Sequence, residues 1–298
     1  MKTHTIAILG TGDMGSAVAR CLADNGLKTV TCLDGRSERS KDLARDAGME
    51  DRASLDAMLA DADMLLSIVP PASAIRFAEQ MCPLISASGR DVLFVDCNAI
   101  APTTTCELAA IAANDGVRFQ DVGIIGASPR PGRMPVRFYT SGPHNAAMKQ
   151  LATELIEIRP IGDDIGRASG IKMVYASLTK GTHALRAAAA IAGERLGVGD
   201  EIRDEWQRSL GDTWAAMLKR LPVLACDSGR WAGEMREIAT TYESLGLPPS
   251  FHEGAERIYE LLSKTDLATE SRDEAHEKNR SIEEVLEQFL ATFTANRR

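Results

Sequence analysis

Short apolar runs, each followed by a turn and an amphipathic stretch, recur through the first half of the chain and then stop. Thr5–Leu9 is the first such run, and its unbroken apolar character fits a strand buried on both faces. Leu27–Leu33, Asp63–Val69, Asp91–Asp96 and Val117–Ile125 repeat the pattern, and Val136–Ser141 and Glu157–Ile161 read as further strands of the same sheet. Helical periodicity fills the intervals at Ser16–Ala23, Ser37–Ala47, Ser54–Leu59, Ile75–Met81, Pro102–Asn114 and His144–Ile156. Gly48 stops the second of these helices, Ser54 caps the third, and Pro102 suits a first helical turn. Beyond Gly166 strand signals vanish. Ala168–Glu194 reads as one long helix crossing from a first domain into a second. Asp204–Leu218, Trp231–Leu245, Phe251–Leu262 and Ser281–Phe293 follow as helices, separated by Pro222, Gly246-Leu247-Pro248-Pro249 and the polar run Ser263–Lys278. The pattern predicts a doubly wound, mostly parallel α/β domain over 1–165 and an all-α domain over 166–298.

The first turn carries the strongest chemical signal. Gly10-Thr11-Gly12-Asp13-Met14-Gly15 is a G-x-G-x-x-G that follows a strand and opens a helix. Gly10 allows the tight turn, Gly12 lets a pyrophosphate approach the backbone, and Gly15 lets helix and strand pack closely. The helix N-terminus supplies donors and a positive dipole end. Thr11, Asp13 and Met14 complete a cofactor-binding turn, and the domain reads as Rossmann-type. After the second strand, Asp34 can accept from a ribose 2′-OH, which implies NAD; Gly35-Arg36-Ser37 offers a 2′-phosphate nest, which implies NADP. Charge complementarity favours NADP. The alternative is that Arg36 and Ser37 only start the next helix. Val69 and Pro70 fall beyond a strand's carboxyl end, where a nicotinamide ribose would lie, and Asn98 falls beyond the next.

The net charge of −8, with no basic run, argues against nucleic-acid binding. The six cysteines are scattered without C-x-x-C, which suits reduced thiols in a cytoplasm. No apolar stretch is of membrane length, and the five histidines have no metal-ligand spacing, so neither a membrane nor a metal partner is expected.

Ile8–Ala19, Asp96-Cys97-Asn98-Ala99-Ile100-Ala101-Pro102, Asp121-Val122-Gly123-Ile124-Ile125-Gly126-Ala127 and Gly170-Ile171-Lys172-Met173-Val174-Tyr175 together resemble the β-hydroxyacid dehydrogenase and 6-phosphogluconate dehydrogenase superfamily. Arg230-Trp231-Ala232-Gly233-Glu234-Met235 is similar to an uncharacterised helical domain found on such proteins. The resemblance implies an NAD(P)-dependent oxidoreductase acting on a CH–OH group of a small hydroxy acid or related alcohol. It gives Lys172 the role of general acid/base and puts Asn98, Gly123 and Ile124 at the substrate. Departures stand beside it: Asn98-Ala99 replaces Ser-Thr, Ile125 replaces a serine, and Ala176 replaces an asparagine one turn after the lysine. These losses leave open an imine or ketone reductase, or an NAD(P)-binding sensor without turnover.

Spacing alone gives Lys172 a face shared with Ala168, Ala176 and Thr179, small residues that leave room for a ligand. A cleft there would lower the ammonium pKa towards neutrality; a lysine snorkelling at the surface is the alternative. Lys180, two turns on, is either an anion contact or a solvated cation. Arg230 and Glu234 read as a surface i,i+4 pair or a cleft contact, Asp96 as a loop support, and His183 as a core or interface residue. The Ala-rich stretch Ala184–Ala192 suggests a homodimer packed through these helices.

Overall fold

The computed structural model describes residues 5–295; residues 1–4 and 296–298, the outer ends of the two expected domains, lie outside the described residues. Two compact units are present, Met1–Val174 and Tyr175–Arg298.

In the first unit, β1 (Thr5–Leu9), β2 (Lys28–Thr31), β3 (Glu50–Asp51), β4 (Met64–Ser67), β5 (Leu93–Asp96), β6 (Arg118–Ile125), β7 (Val136–Ser141) and β8 (Ile156–Pro160) form one sheet. Their order is β3-β2-β1-β4-β5-β6-β7-β8. Only the β6–β7 pairing is antiparallel among the described strands. The order reverses direction between β1 and β4, the switch point where doubly wound sheets open a crevice beyond their carboxyl ends.

Alternation along β1 builds a core on each face. Ile6 and Ile8 join Val18 and Leu22 of α1 (Asp13–Asp24). Ala7 and Leu9 join Met58 of α3 (Leu55–Asp61), Met81 of α4 (Ala74–Ala87) and Leu108 of α5 (Pro102–Asn114). A one-residue slip would exchange the two faces. Each fully buried Ile or Leu contributes about 1.5–3 kcal/mol, so the register is fixed by its cores. That register aligns Leu9, Ser67, Asp96, Asp121 and Ser141 in one row across β1, β4, β5, β6 and β7.

Several elements differ from expectation. The helix α2 (Glu38–Asp46) follows its cap Ser37, and Glu50–Asp51 adds an exposed two-residue strand that carries no apolar signal. α4 continues through Pro83 to Ala87, six residues past Met81. His144–Ile156 is not one helix: α6 (Asn145–Met148) and a 3₁₀ turn, Lys149–Leu151, end at Thr153. The Thr153 hydroxyl accepts from the backbone N–H groups of Leu155 and Ile156, at 3.1 and 3.0 Å, and turns the chain into β8.

The second unit contains most of α7 (Arg167–Leu196), with the boundary between units falling inside that helix. Asp204–Leu218 divides into α8 (Gly199–Ser209) and α9 (Gly211–Arg220), because Leu210 leaves helical geometry (φ −130°, ψ 42°) before a helix-weakening glycine. Trp206 and Trp214 pack across that break, ring centroids 5.9 Å apart. α10 (Ala225–Ser244) and α11 (Ser250–Leu262) join through Trp231–Tyr259 and Tyr242–His252 ring contacts. The expected polar spacer holds a 3₁₀ turn, Asp266–Thr269, and α12 (Arg272–Glu277), which starts on a Ser271/Glu274 capping box. α13 (Ile282–Ala295) completes the unit, and no helix among the described residues is long and apolar enough to cross a membrane.

Candidate functional site

The glycine turn is built as its spacing requires. Gly10 has φ +104°, and a Cβ there would overlap the Ile68 carbonyl; a Cβ on Gly15 would overlap the Gly10 carbonyl. Gly12 differs, since a Cβ there would meet nothing within 4 Å. It is the N-cap of α1 and offers no side-chain acceptor to the first-turn N–H groups. Those donors lack a side-chain cap at the positive end of a helix dipole, and the uncrowded Gly12 beside them fits the approach of a pyrophosphate. Asp13 in that first turn would repel such an anion. Its carboxylate is instead engaged by Arg39, at 2.7 Å, a partner with no sequence signal of its own. Thr11 is buried, with its hydroxyl unpartnered, and Met14 leans on the core.

Beyond β2, Asp34, Arg36 and Ser37 are all exposed, and Gly35 takes φ +67°. The Ser37 hydroxyl accepts from Ser40 N at 3.3 Å, so this serine caps α2 rather than standing free as a phosphate donor. Arg36 is held only by its backbone in the turn, N to Leu33 O at 3.1 Å, which leaves its guanidinium at the loop's surface.

Asn98 is turned inward. Its carbonyl accepts from Val69 N at 2.7 Å, and its amide donates to Ser67 Oγ at 3.0 Å and to Asp96 Oδ1. The side chain is thus a clasp between the ends of β4 and β5. Val69 is fixed by that clasp, and Pro70 lies exposed at the start of a 3₁₀ turn.

Asp121 organises the other side of the row. Its Oδ2 accepts from the N–H groups of Gly166, Ala168 and Ser169, at 2.9, 3.1 and 3.2 Å, and from Ser141 Oγ at 2.8 Å. Its Oδ1 accepts from Ser169 Oγ at 2.7 Å. A carboxylate on the central sheet thereby caps the N-terminus of α7. Two residues on, Gly123 lets α7 lie against β6, since a Cβ would overlap the Ala168 carbonyl and reach 3.2 Å from Lys172 Cβ. One residue further, the Ile124 carbonyl accepts from Lys172 Nζ. The half-buried Lys172 amine is therefore held at β6 near its carboxyl end. Gly123 and Ile124 serve as the seat of the lysine.

Comparison with known proteins gives these features a context. Residues 5–156, just over half of the chain, match the NAD binding domain of 6-phosphogluconate dehydrogenase. The chain belongs to this NAD(P)-binding dehydrogenase family. Residues 194–262 match a helical family of unknown function, DUF1932. An uncharacterised oxidoreductase of Synechocystis is 28% identical over 68% of this chain and 71% of its own length. Mycobacterium tuberculosis 3-hydroxyisobutyrate dehydrogenase, solved with L-serine, shares the fold at TM-score 0.67 and 20% identity, over 94% of this chain and 100% of its own. An imine reductase of Myxococcus stipitatus, solved with NAD+, shares it at TM-score 0.52 and 17% identity, over 97% and 100%.

Lys180 belongs to the helical unit. Its side chain is 12% exposed and its ammonium pairs with the buried carboxylate of Glu234. Arg230 completes that pair at 2.6 Å, so Glu234 is a core acid rather than half of a surface bridge. His183 stacks on Trp231, and burial with the nearby Arg220 and Arg186 guanidinium groups brings its imidazole down to about 4.

Burial raises the carboxyl of Asp96 well above the usual aspartate range, and the neighbouring Asp121 adds to the rise. Asp121 is itself raised by burial, against the lowering effect of its Ser169 and Ser141 hydrogen bonds. Asp96 Oδ2 is buried without a hydrogen-bond partner, so nothing there offsets the cost of ionising it. A native carboxyl that keeps its proton while the unfolded one releases it makes stability fall as pH rises through the interval between the two. Asp96→Asn is therefore expected to flatten that fall, by up to about 1.4 kcal/mol per pH unit within the interval. Urea unfolding from about pH 5 to pH 8 reads it, and parallel profiles for variant and wild type would contradict the assignment.

Proposed function

We propose that the chain is an NAD(P)-dependent oxidoreductase acting on the CH–OH group of a small hydroxy acid or related polar alcohol, with Lys172 as general acid/base. The observation that carries this reading is the Lys172 amine, anchored at Ile124 beside the sheet edge to which the Gly10–Gly15 turn also belongs. A bound nicotinamide cofactor supplies the hydride chemistry. The residues of this chain supply the rest. Gly12 and the first turn of α1 bind the pyrophosphate, and Arg39 keeps Asp13 from repelling it. Lys172 Nζ takes the hydroxyl proton on oxidation and returns it on reduction, and the Ile124 carbonyl holds the amine in one place between the two events. Asp121 and Gly123 set the distance of α7 from β6 and so position the amine.

Arg36 supports NADP over NAD: a free guanidinium at the end of β2 matches a 2′-phosphate better than the adjacent Asp34 does. A cytoplasmic homodimer packed through Ala184–Ala192 belongs to the same reading. Six unpaired cysteines support the location, and the exposed Leu178 and Leu185 of α7 support the association.

Lys172→Ala is expected to lower kcat by about 10²–10⁴-fold on hydroxy acids while NADPH still binds; near-normal kcat would remove the lysine from the mechanism. Imines assayed beside the hydroxy acids test the reductase alternative, and cofactor binding without turnover on either would favour a sensor. Arg36→Ala is expected to weaken NADPH by about tenfold with NADH little changed. Equal losses for both cofactors would take the arginine away from the 2′-phosphate.

A further inference from the structure

The Arg230–Met235 stretch, which the hydride-transfer reading does not use, is the centre of an unusual cluster in the helical unit. Trp231 is 6% exposed. Three cations surround its ring: Arg220 Cζ at 4.6 Å from the centroid, Lys180 Nζ at 5.1 Å and Arg230 Cζ at 6.0 Å. His183 stacks on it at 6.0 Å, and Tyr259 meets it edge-on at 5.5 Å. Two carboxylates answer the cations. Glu234 accepts from Lys180 and Arg230. Asp227 accepts from Arg220 at 2.7 Å, Arg230 at 3.0 Å, and Arg272 at 2.5 and 2.9 Å.

Four cations gather on two carboxylates, and Arg186 adds its field at His183. The carboxylate oxygens already carry several charged donors, yet Trp231 Nε1 and Arg220 Nε have no acceptor, and neither does His183 Nδ1 have a partner. An indole N–H and a guanidinium N–H can only donate. Buried donors without acceptors, amid a cluster of cations, are what an anion-binding site looks like before its anion is counted. Arg230 and Arg272 are about half exposed, so solvent reaches the cluster from their side.

We propose that this cluster binds an oxyanion, the carboxylate or phosphate group of a small-molecule ligand, with Trp231 Nε1 and Arg220 Nε as its donors. The proposal goes beyond hydride transfer and stands without it. Two substitutions remove one donor each while keeping ring or charge: Trp231→Phe and Arg220→Lys. Calorimetric titration of the full chain with malonate, and separately with inorganic phosphate, at constant ionic strength in chloride, is the test. Wild type is expected to bind at least one of them saturably, and the one that binds identifies the source of the oxyanion. Each variant that retains the wild-type circular-dichroism spectrum is expected to bind at least tenfold more weakly, with NADPH affinity unchanged. No saturable binding of either probe by wild type overturns the proposal. So does binding that survives either substitution in a folded variant. The NADPH titration keeps this outcome separate from any failure of the cofactor turn.

Discussion

One buried carboxylate fixes the geometry on which the first unit's chemistry depends. Asp121 is fully buried in the sheet and accepts from the N–H groups of Gly166, Ala168 and Ser169 at the start of α7 and from two serine hydroxyls. Charge-assisted bonds to helix-end amides are stronger than neutral ones, and they act where the helix dipole is positive. Replacing the carboxylate with an apolar group would orphan several buried donors at once. The same strand then supplies the gap at Gly123 and the acceptor at Ile124, so three residues of β6 anchor, admit and orient the lysine-bearing helix.

The polar row Ser67, Asp96 and Asp121 lies across the middle of the sheet, where burial penalises charge. Asn98 ties Ser67, Asp96 and the Val69 backbone into one clasp and holds the ends of β4 and β5 in place. The raised carboxyls of Asp96 and Asp121 are the cost of keeping polar groups at an edge that two apolar cores enclose. Rigidity at the carboxyl edge is what that polar network contributes: the glycine turn, the clasp and the lysine seat are all attached to neighbouring strands.

Much of this was legible in the chain. Apolar runs located seven of the strands, because a strand buried on both faces must be apolar throughout. The glycine spacing announced the turn, because only glycine tolerates the backbone contacts at Gly10 and Gly15. What stayed hidden depends on partners distant in sequence. Asp121 caps a helix that begins more than forty residues later, and nothing in its local sequence points there. Asn98 spends its amide on neighbours that only strand pairing brings together. The Lys180–Glu234 pair reads as two surface charges until helix packing buries the acid. Glu50–Asp51 has no apolar signal because it is an exposed edge strand. By contrast, the Ser271–Glu274 capping box of α12 was written in the polar run that hid it.

The most direct test of the anchor is hydrogen–deuterium exchange at Gly166, Ala168 and Ser169 in Asp121→Asn, a change that keeps the side-chain shape and removes its charge. These amides are expected to exchange at least about tenfold faster than in wild type, with protection of β1 and α1 unchanged, because loss of a charge-assisted cap opens the first turn locally. Unchanged protection at all three amides would contradict the central claim that this carboxylate holds α7, and Lys172 with it, against β6.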